Sequence, residues 1–202
     1  MNKVFIPFDQ IRNNALKLAY EVYNTGFIPD VIYIPLRGGA YMGNVFSEFF
    51  KIVRNGERPV FYAAVVARSY TDIHQQDRVM IDGWTYNPEH LRHGDKVLFI
   101  DDIFDSGKTL NHLVEVILEK GIPRSDVKVA VHDYKDVKYK EHLPIQPDFY
   151  CNKYEIEKVD DEMWIHYMSH ELIGLTKEEQ QHQYLDKEPG LQHIFDFINN
   201  QK

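Results

Sequence analysis

The sequence predicts an α/β protein built on a doubly wound, mostly parallel sheet. Short apolar runs such as 31–34 and 97–100 alternate with amphipathic stretches such as 11–22, and this alternation is typical of parallel sheets covered by helices. The 202 residues and the 44% hydrophobic content suit one domain with a small appendage. We therefore expect a single domain over residues 1–202, with ligands bound beyond the carboxyl ends of the strands.

The first half of the chain supplies a helix, a strand and a long polar segment. Asp9 is predicted to cap a helix whose apolar face runs from Ile11 to Val22 and which stops at Gly26. The continuous apolar run Val31–Ile34 predicts a buried strand. Next come a predicted helix over 40–50, a strand over 60–67 and a polar excursion over 68–87.

The second half contains the clearest strand, Val97–Ile100, which ends in two acidic residues. A helix is predicted from about Thr109 to Lys120 and is closed by Gly121. The remaining predictions are a short strand over 127–131, mixed strand and loop over 144–173, and a short C-terminal helix opened by the capping-box pair Thr176 and Glu179.

Composition excludes several classes of function. The net charge of −8 disfavours a broad contact with nucleic acid or an anionic membrane. No apolar run approaches the roughly 18 residues of a membrane span, and Pro7 and Asp9 interrupt the N-terminal apolar stretch too early for a signal peptide. Cys151 is the single cysteine, so no intramolecular disulfide can form. We expect a cytoplasmic protein with no nucleic-acid or membrane partner.

The most informative segment runs from Val97 to Leu110. Its apolar strand delivers Asp101 and Asp102 to the strand end, and Asp105 follows before a turn of small residues. Carboxylates accept hydrogen bonds from the paired hydroxyls of a ribose. The turn Ser106–Thr109 offers backbone N–H groups, hydroxyls and a helix N-terminus to a phosphate. Together they predict a ribose-phosphate site.

A nucleoside-triphosphate P-loop is the obvious alternative for the Gly107–Thr109 triplet. That motif requires a glycine five residues before its second glycine, and the corresponding residue here is Asp102. The P-loop interpretation therefore fails. The plainer alternative, a strand–loop–helix connection with solvated acids, has to explain three acids clustered at the end of an apolar strand.

The segment resembles the signature of the type I phosphoribosyltransferases, and of their hypoxanthine, guanine and xanthine (6-oxopurine) branch in particular. The resemblance implies a parallel-sheet core over about 26–140, a small hood over about 141–175 and a helical tail over 176–202. It also implies that Asp101 and Asp102 bind the ribose hydroxyls of 5-phosphoribosyl-1-pyrophosphate (PRPP). The residues that surround its 5′-phosphate would be Asp105, Ser106, Gly107, Lys108 and Thr109.

Other segments match the same family. Leu36, Arg37, Gly38 and Gly39 follow the first buried strand and resemble the pyrophosphate loop, which often contains a cis peptide before its basic residue. The resemblance implies catalytic roles for Arg37, as a cation beside the pyrophosphate, and for Asp105, as the general base near the purine N7.

A mobile loop that closes over the active site is implied by Arg68, Ser69 and Tyr70, since the 6-oxopurine branch carries a Ser-Tyr pair there. Such a lid would exclude water from a reactive ribosyl cation. The alternative is a solvated surface loop.

Base recognition is implied at two places. Lys135, just after the 127–131 strand, resembles the lysine that donates to the purine 6-oxo group, with Lys138 and Lys140 as nearby competitors. Trp164 and Ile165 resemble the segment whose aromatic residue stacks on the base, although a core tryptophan is the alternative.

The family's use of PRPP implies Mg²⁺ as cofactor, with Asp102 and Glu171 as candidate ligands. The family's aromatic-Pro-Trp-acid pattern is replaced here by the stretch from Tyr167 to Glu171, so the base preference does not transfer. The ten histidines show no zinc-binding spacing.

The expected reaction is transfer of the phosphoribosyl group from PRPP to hypoxanthine, guanine or xanthine in purine salvage. The alternatives are another acceptor, such as orotate, uracil, adenine or a nicotinate-like base, and a non-catalytic nucleotide-sensing regulator with the same fold. Relatives commonly form dimers or tetramers, so we also expect a homo-oligomer.

Overall fold

A computed structural model describes residues 2–54, 56, 58–71 and 77–201. These residues form two compact units, of which the first ends at Ser169 and the second begins at His170. Side chains of residues 69–71, 77 and 78 lie outside the described part. The first unit contains the strands and helices that the sequence predicts as the core.

A six-stranded sheet forms the centre of the first unit. Its strand order is β4-β3-β2-β5-β6-β7, and every neighbouring pair is parallel except β3 with β4. This confirms the predicted α/β fold with a mostly parallel sheet. The strands are β2 (Val31–Leu36), β3 (Phe61–Thr71), β4 (Asp77–Trp84), β5 (Val97–Phe104), β6 (Val127–Val137) and β7 (Phe149–Ile156).

Helices pack on both faces of this sheet. Helices α1 (Phe8–Asn24) and α2 (Ala40–Val53) belong to one apolar cluster, and α3 (Lys108–Glu119) belongs to another. Alternate side chains of β5 pack in the two clusters: Leu98 lies in the first and Phe99 in the second. Burial of β5 on both faces explains why its sequence is a continuous apolar run.

A second, two-stranded sheet pairs the N-terminus with a late segment of the unit. Strand β1 (Asn2–Ile6) runs parallel to β8 (Met163–Tyr167), with Val4 opposite Ile165. The sequence analysis did not predict β1, because the strand is five residues long and only Ile6 is buried. The pairing places residues 163–167 beside the start of the chain.

The observed elements differ from the predicted ones mainly at their ends. The first helix starts at Phe8 with Pro7 at its N-cap, so Asp9 lies in the first turn and is not the cap. The polar excursion predicted over 68–87 is largely an antiparallel hairpin of β3 and β4. Charged side chains are tolerated there because β4 is an edge strand of the sheet.

The second unit is a small helical segment. Helix α4 (Lys177–Gln180) begins at the predicted capping box, in which Thr176 and Glu179 bond each other's backbone N–H, and it continues as a π-helical turn over 181–185. Helix α5 (Gln192–Asn199) is joined to it by reciprocal amide bonds of 2.9 and 3.1 Å between Gln180 and Asn199. Among the described helices of the whole chain, none has the length and apolarity of a membrane span.

Candidate functional site

Two loops that follow parallel strands meet at the carboxyl edge of the main sheet. Gly38 and Gly39 follow β2, and Asp102 lies near the end of β5. A Cβ atom added to Gly38 would lie 2.6 Å from Asp102 Cγ, and one added to Gly39 would meet the Ile100 carbonyl. At Gly39 a side chain would collide with the backbone, and at Gly38 it would displace the Asp102 carboxylate. The loops therefore lie side by side, as the sequence predicts. The Leu36–Arg37 peptide bond is cis, which confirms the expectation from the family resemblance.

The adjacent carboxylates Asp101 and Asp102 belong to β5 itself, which continues to Phe104. The Asp102 side chain is buried, and its backbone N–H donates to Asp101 Oδ1 at 3.0 Å. Burial, followed by the charge of Asp102, raises the pKa of Asp101 well above its usual range. The strand end therefore presents a strongly interacting pair of carboxyl groups at the cleft.

The turn between β5 and α3 is built around Gly107. Its φ of 73° is left-handed, and an added Cβ would lie 2.5 Å from Phe104 Cε1, so both the backbone and the available space favour glycine. Ser106 and Lys108 are exposed around this turn. The first turn of α3 contains no acidic residue, so the positive end of the helix dipole suits an anion.

The buried side chain of Asn111 stabilises this turn, a role that was not predicted from the sequence. Its buried side chain donates to the carbonyls of Gly107 at 3.0 Å and Ile145 at 2.8 Å, and it accepts from Ile145 N–H at 2.8 Å. The sequence feature that could have revealed this role is an asparagine among the apolar residues of the helix face that packs in the core.

Asp105 and Lys135 form an ion pair above the turn. Lys135 Nζ lies 3.2 Å from Asp105 Oδ1; the lysine side chain is 10% exposed and the carboxylate 63%. Lys135 belongs to β6, which extends to Val137, so the prediction that it follows the strand is wrong. Of the two competitors, Lys138 pairs with Asp136, whereas Lys140 pairs with Glu162 and lines the same cavity as Lys135.

A cavity of about 320 Å³ opens beside this ion pair. One wall is the turn with Asp105, Ser106 and Lys108, and Lys135 lies in the adjoining wall. The lining also includes Glu162, whose carboxylate accepts hydrogen bonds from Tyr139 and Lys140. The volume suits a small ligand, and the cavity unites the predicted phosphate turn with the predicted base-recognising lysine.

The residues predicted to stack on a base are on opposite faces of β8. Trp164 is 45% exposed, so the alternative of a core tryptophan does not apply, whereas Ile165 is buried in the cluster around α1 and α2. The Ile165 side chain therefore packs in the core. Base contact by either residue stays a prediction.

The remaining predicted site residues belong to strand β3 and to the second unit. Arg68 is in β3 and pairs with Asp82 of β4, with its Nε 2.6 Å from Asp82 Oδ2. The side chains of Ser69 and Tyr70 lie outside the described part, although their backbone belongs to β3. Glu171 belongs to the second unit. The lid and outer-metal roles of these residues stay predictions.

Comparisons with known proteins agree with this geometry. A family model described as the phosphoribosyl transferase domain matches residues 8–164. A curated relative, the bifunctional protein PyrR of Brevibacillus brevis, is 25% identical over 142 residues, which are 69% of this chain and 75% of the relative.

Two solved structures share the fold. The purine phosphoribosyltransferase of Pyrococcus horikoshii superposes with a TM-score of 0.64 at 22% identity, covering 88% of this chain and 99% of that one. The xanthine-guanine-hypoxanthine phosphoribosyltransferase of Helicobacter pylori gives 0.58 at 19% identity, with coverage of 83% and 94%. The family match spans more than half of the chain and contains both glycine-rich loops and the β5 acids, so the chain belongs to the phosphoribosyl transferase domain family and is an enzyme of that class.

Proposed function

We propose that this enzyme transfers the 5-phosphoribosyl group of PRPP to a ring nitrogen of a 6-oxopurine and releases pyrophosphate. The observation that carries the proposal is the pairing of Lys135 with Asp105 at the mouth of the phosphate turn. Lys135 is a hydrogen-bond donor suited to a purine 6-oxo group, and Asp105 is an acceptor suited to the proton of a purine ring nitrogen.

Binding of PRPP follows from the two acids and the turn. Asp101 and Asp102 accept hydrogen bonds from the ribose hydroxyls, while the turn Ser106–Thr109 and the N-terminus of α3 receive the 5′-phosphate. Asn111 fixes the turn from the core side. These contacts hold the anomeric carbon at a defined place above the sheet edge.

Departure of pyrophosphate is assisted by the loop after β2. The anomeric C–O bond breaks, and its electron pair leaves with the pyrophosphate oxygen. The backbone N–H group of Gly38 and the exposed Arg37 side chain stabilise the negative charge that develops there, while the Gly39 N–H donates to the Pro35 carbonyl. Because neither glycine carries a side chain, this loop packs directly against the end of β5, which brings the Arg37 side chain and the Asp102 carboxylate to the same edge of the sheet.

The acceptor base occupies the cavity beside Lys135. A ring nitrogen forms the new bond to the anomeric carbon, and Asp105 takes the proton that this nitrogen loses. Lys135 donates to the 6-oxo group and thereby favours hypoxanthine, guanine or xanthine over adenine. Trp164, which is exposed on β8, offers a ring for stacking.

Magnesium fits the donor set at the strand end. Asp102, the ligand that the sequence predicts here, would supply a carboxylate oxygen, and Mg²⁺ characteristically combines one or two carboxylates with substrate phosphates. In the described part of the chain no three His, Cys, Asp or Glu side chains gather into a metal cage. When bound with PRPP, the ion would neutralise charge on the leaving pyrophosphate.

The test is a panel of bases. Purified protein, PRPP and magnesium are mixed in turn with hypoxanthine, guanine, xanthine, adenine, orotate and uracil, and nucleotide formation is followed by absorbance. Turnover with at least one oxopurine is expected, and adenine should react much more slowly. Turnover confined to orotate, uracil or adenine would overturn the oxopurine assignment while keeping the enzyme class.

A further inference from the structure

The part of β5 that carries Asp102 has less support from neighbouring strands than the part before it. The register with β2 covers Val97–Phe99 alone, so further along, among the described residues, β5 is in register with β6 only. Even that ladder passes from Asp101, opposite Val131, to Ile103, opposite Asp133. Asp102 therefore lies between two registered pairs near the end of the strand.

A tyrosine hydroxyl from the small sheet contacts the backbone at this point. Tyr167, the last residue of β8, places its hydroxyl 2.9 Å from the Asp102 carbonyl oxygen and 2.6 Å from Asp133 Oδ2. Its side chain is 1% exposed. One phenol thus links the strand end that carries Asp102 to a buried carboxylate of β6.

The Asp133 carboxylate is itself held in a buried network. Asn152 Nδ2 donates to Asp133 Oδ1 at 2.8 Å, and His132 Nδ1 lies 2.7 Å from Asp133 Oδ2. On its other side, His132 Nε2 lies 3.1 Å from Asn14 Nδ2 of α1. The carboxylate therefore cannot rotate without breaking bonds to β7 and to its neighbour, and the direction of the Tyr167 hydroxyl is fixed.

The phenol carries one proton for two acceptors. The hydroxyl therefore donates to the Asp102 carbonyl and to the Asp133 carboxylate as one shared hydrogen bond.

We infer that Tyr167 is a positioning residue for the carboxylate of Asp102, and that Asp133 aligns it. The inference rests on the proposed function, because it assigns Asp102 to the PRPP ribose. The hydroxyl bonds the main chain of Asp102 and never needs to touch the substrate. A misplacement of about 1 Å can lower a reaction rate about 10²-fold. A hydrogen bond that fixes the position of Asp102 should therefore have a measurable effect on how well PRPP is bound and used.

Tyr167→Phe is the direct test, and Tyr33→Phe is its matched control. Tyr33 is equally buried, and its hydroxyl also donates to a backbone carbonyl, that of Tyr86, at 2.9 Å. Each substitution removes one oxygen atom from a buried tyrosine. Calorimetry measures PRPP affinity in the presence of magnesium, and thermal unfolding measures stability.

We expect Tyr167→Phe to weaken PRPP binding about tenfold, which corresponds to about 1.4 kcal/mol, while Tyr33→Phe keeps the wild-type affinity. In steady-state assays the KM for PRPP should rise and the KM for the base should stay unchanged. A purely structural hydroxyl would lower the unfolding temperature in both variants without this selective change.

Asn152→Ala provides a milder variant that leaves Tyr167 in place and adds no charge. By releasing Asp133 Oδ1 it should weaken PRPP binding about twofold to threefold, which keeps the test available if Tyr167→Phe does not fold. Wild-type PRPP affinity in both folded variants would overturn the inference and leave the proposed function intact. A wild-type protein that does not bind PRPP would overturn both.

Discussion

Replacing Gly38 by alanine tests the contact between the two loops of the site. The added Cβ would lie 2.6 Å from both Cγ and Oδ2 of Asp102, where ordinary van der Waals contact begins near 3.4 Å. The carboxylate must therefore retreat by about 1 Å. It is the end of a rotatable side chain, so it can retreat while the backbone stays in place.

The same displacement has different effects on stability and on activity. An off-rotamer aspartate costs about 0.5–1.5 kcal/mol, which for a protein of this size lowers Tm by only a few degrees. A ribose-binding group displaced by about 1 Å can reduce turnover about 10²-fold. We therefore predict a folded Gly38→Ala protein whose kcat/KM for PRPP falls about 10²-fold.

Gly83→Ala is the matched control for this experiment. Gly83 lies in β4, has no left-handed φ, and an added Cβ there meets no atom within 4 Å. Circular dichroism and thermal unfolding establish that both variants fold, and steady-state kinetics with varied PRPP follow. The reasoning is refuted if Gly38→Ala retains the kcat/KM of the wild type, or if Gly83→Ala loses as much activity.

Three further predictions follow from the same geometry. Asp105→Asn should preserve PRPP binding while single-turnover transfer slows by about 10²–10⁴, as expected for a general base; an unchanged chemical rate would remove Asp105 from that role. Lys135→Met should raise the KM for the oxopurine and leave the KM for PRPP unaltered, and the opposite pattern would contradict base recognition by Lys135. Burial raises the pKa of Cys151 to about 12 from 9.0, so a thiol reagent at pH 8 should label the native protein about 10³-fold more slowly than the urea-unfolded chain. Between those pH values the thiol ionises in the unfolded chain only, so it lowers the free energy of unfolding as pH rises from about 9 towards 12. Cys151→Ser should remove this contribution and leave that of buried tyrosines such as Tyr154, whose pKa is raised to about 12.

The parts of the site that come from contiguous residues were predictable from sequence. Asp101, Asp102 and the Gly107 turn follow one apolar strand, and parallel strands bring their carboxyl ends to one edge. That rule predicts the Gly38 loop beside Asp102, where the structure has it. The local sequence pattern was therefore enough to predict the residues for the ribose and for the 5′-phosphate.

The parts that depend on distant contacts were not predictable. Strand β1 forms because it pairs with β8, more than 150 residues away in sequence, and a five-residue edge strand has little pattern of its own. Tyr167 and Asp133 were missed for the same reason, since neither residue type nor spacing shows that a phenol will bond the Asp102 carbonyl. Residues 68–87 were predicted to be a loop because the polar residues of β3 and β4 in this range lack the alternating apolar pattern of a half-buried strand.

The most direct measurement of the central claim is the detection of product by mass spectrometry. The wild-type protein is incubated with PRPP, magnesium and hypoxanthine, and the Asp105→Asn protein is treated in parallel. The account predicts that the wild-type protein forms the nucleoside monophosphate and pyrophosphate in equal amounts, and that the variant forms them at a rate about 10²–10⁴ lower. PRPP that binds but yields no nucleotide with hypoxanthine, guanine or xanthine would contradict it.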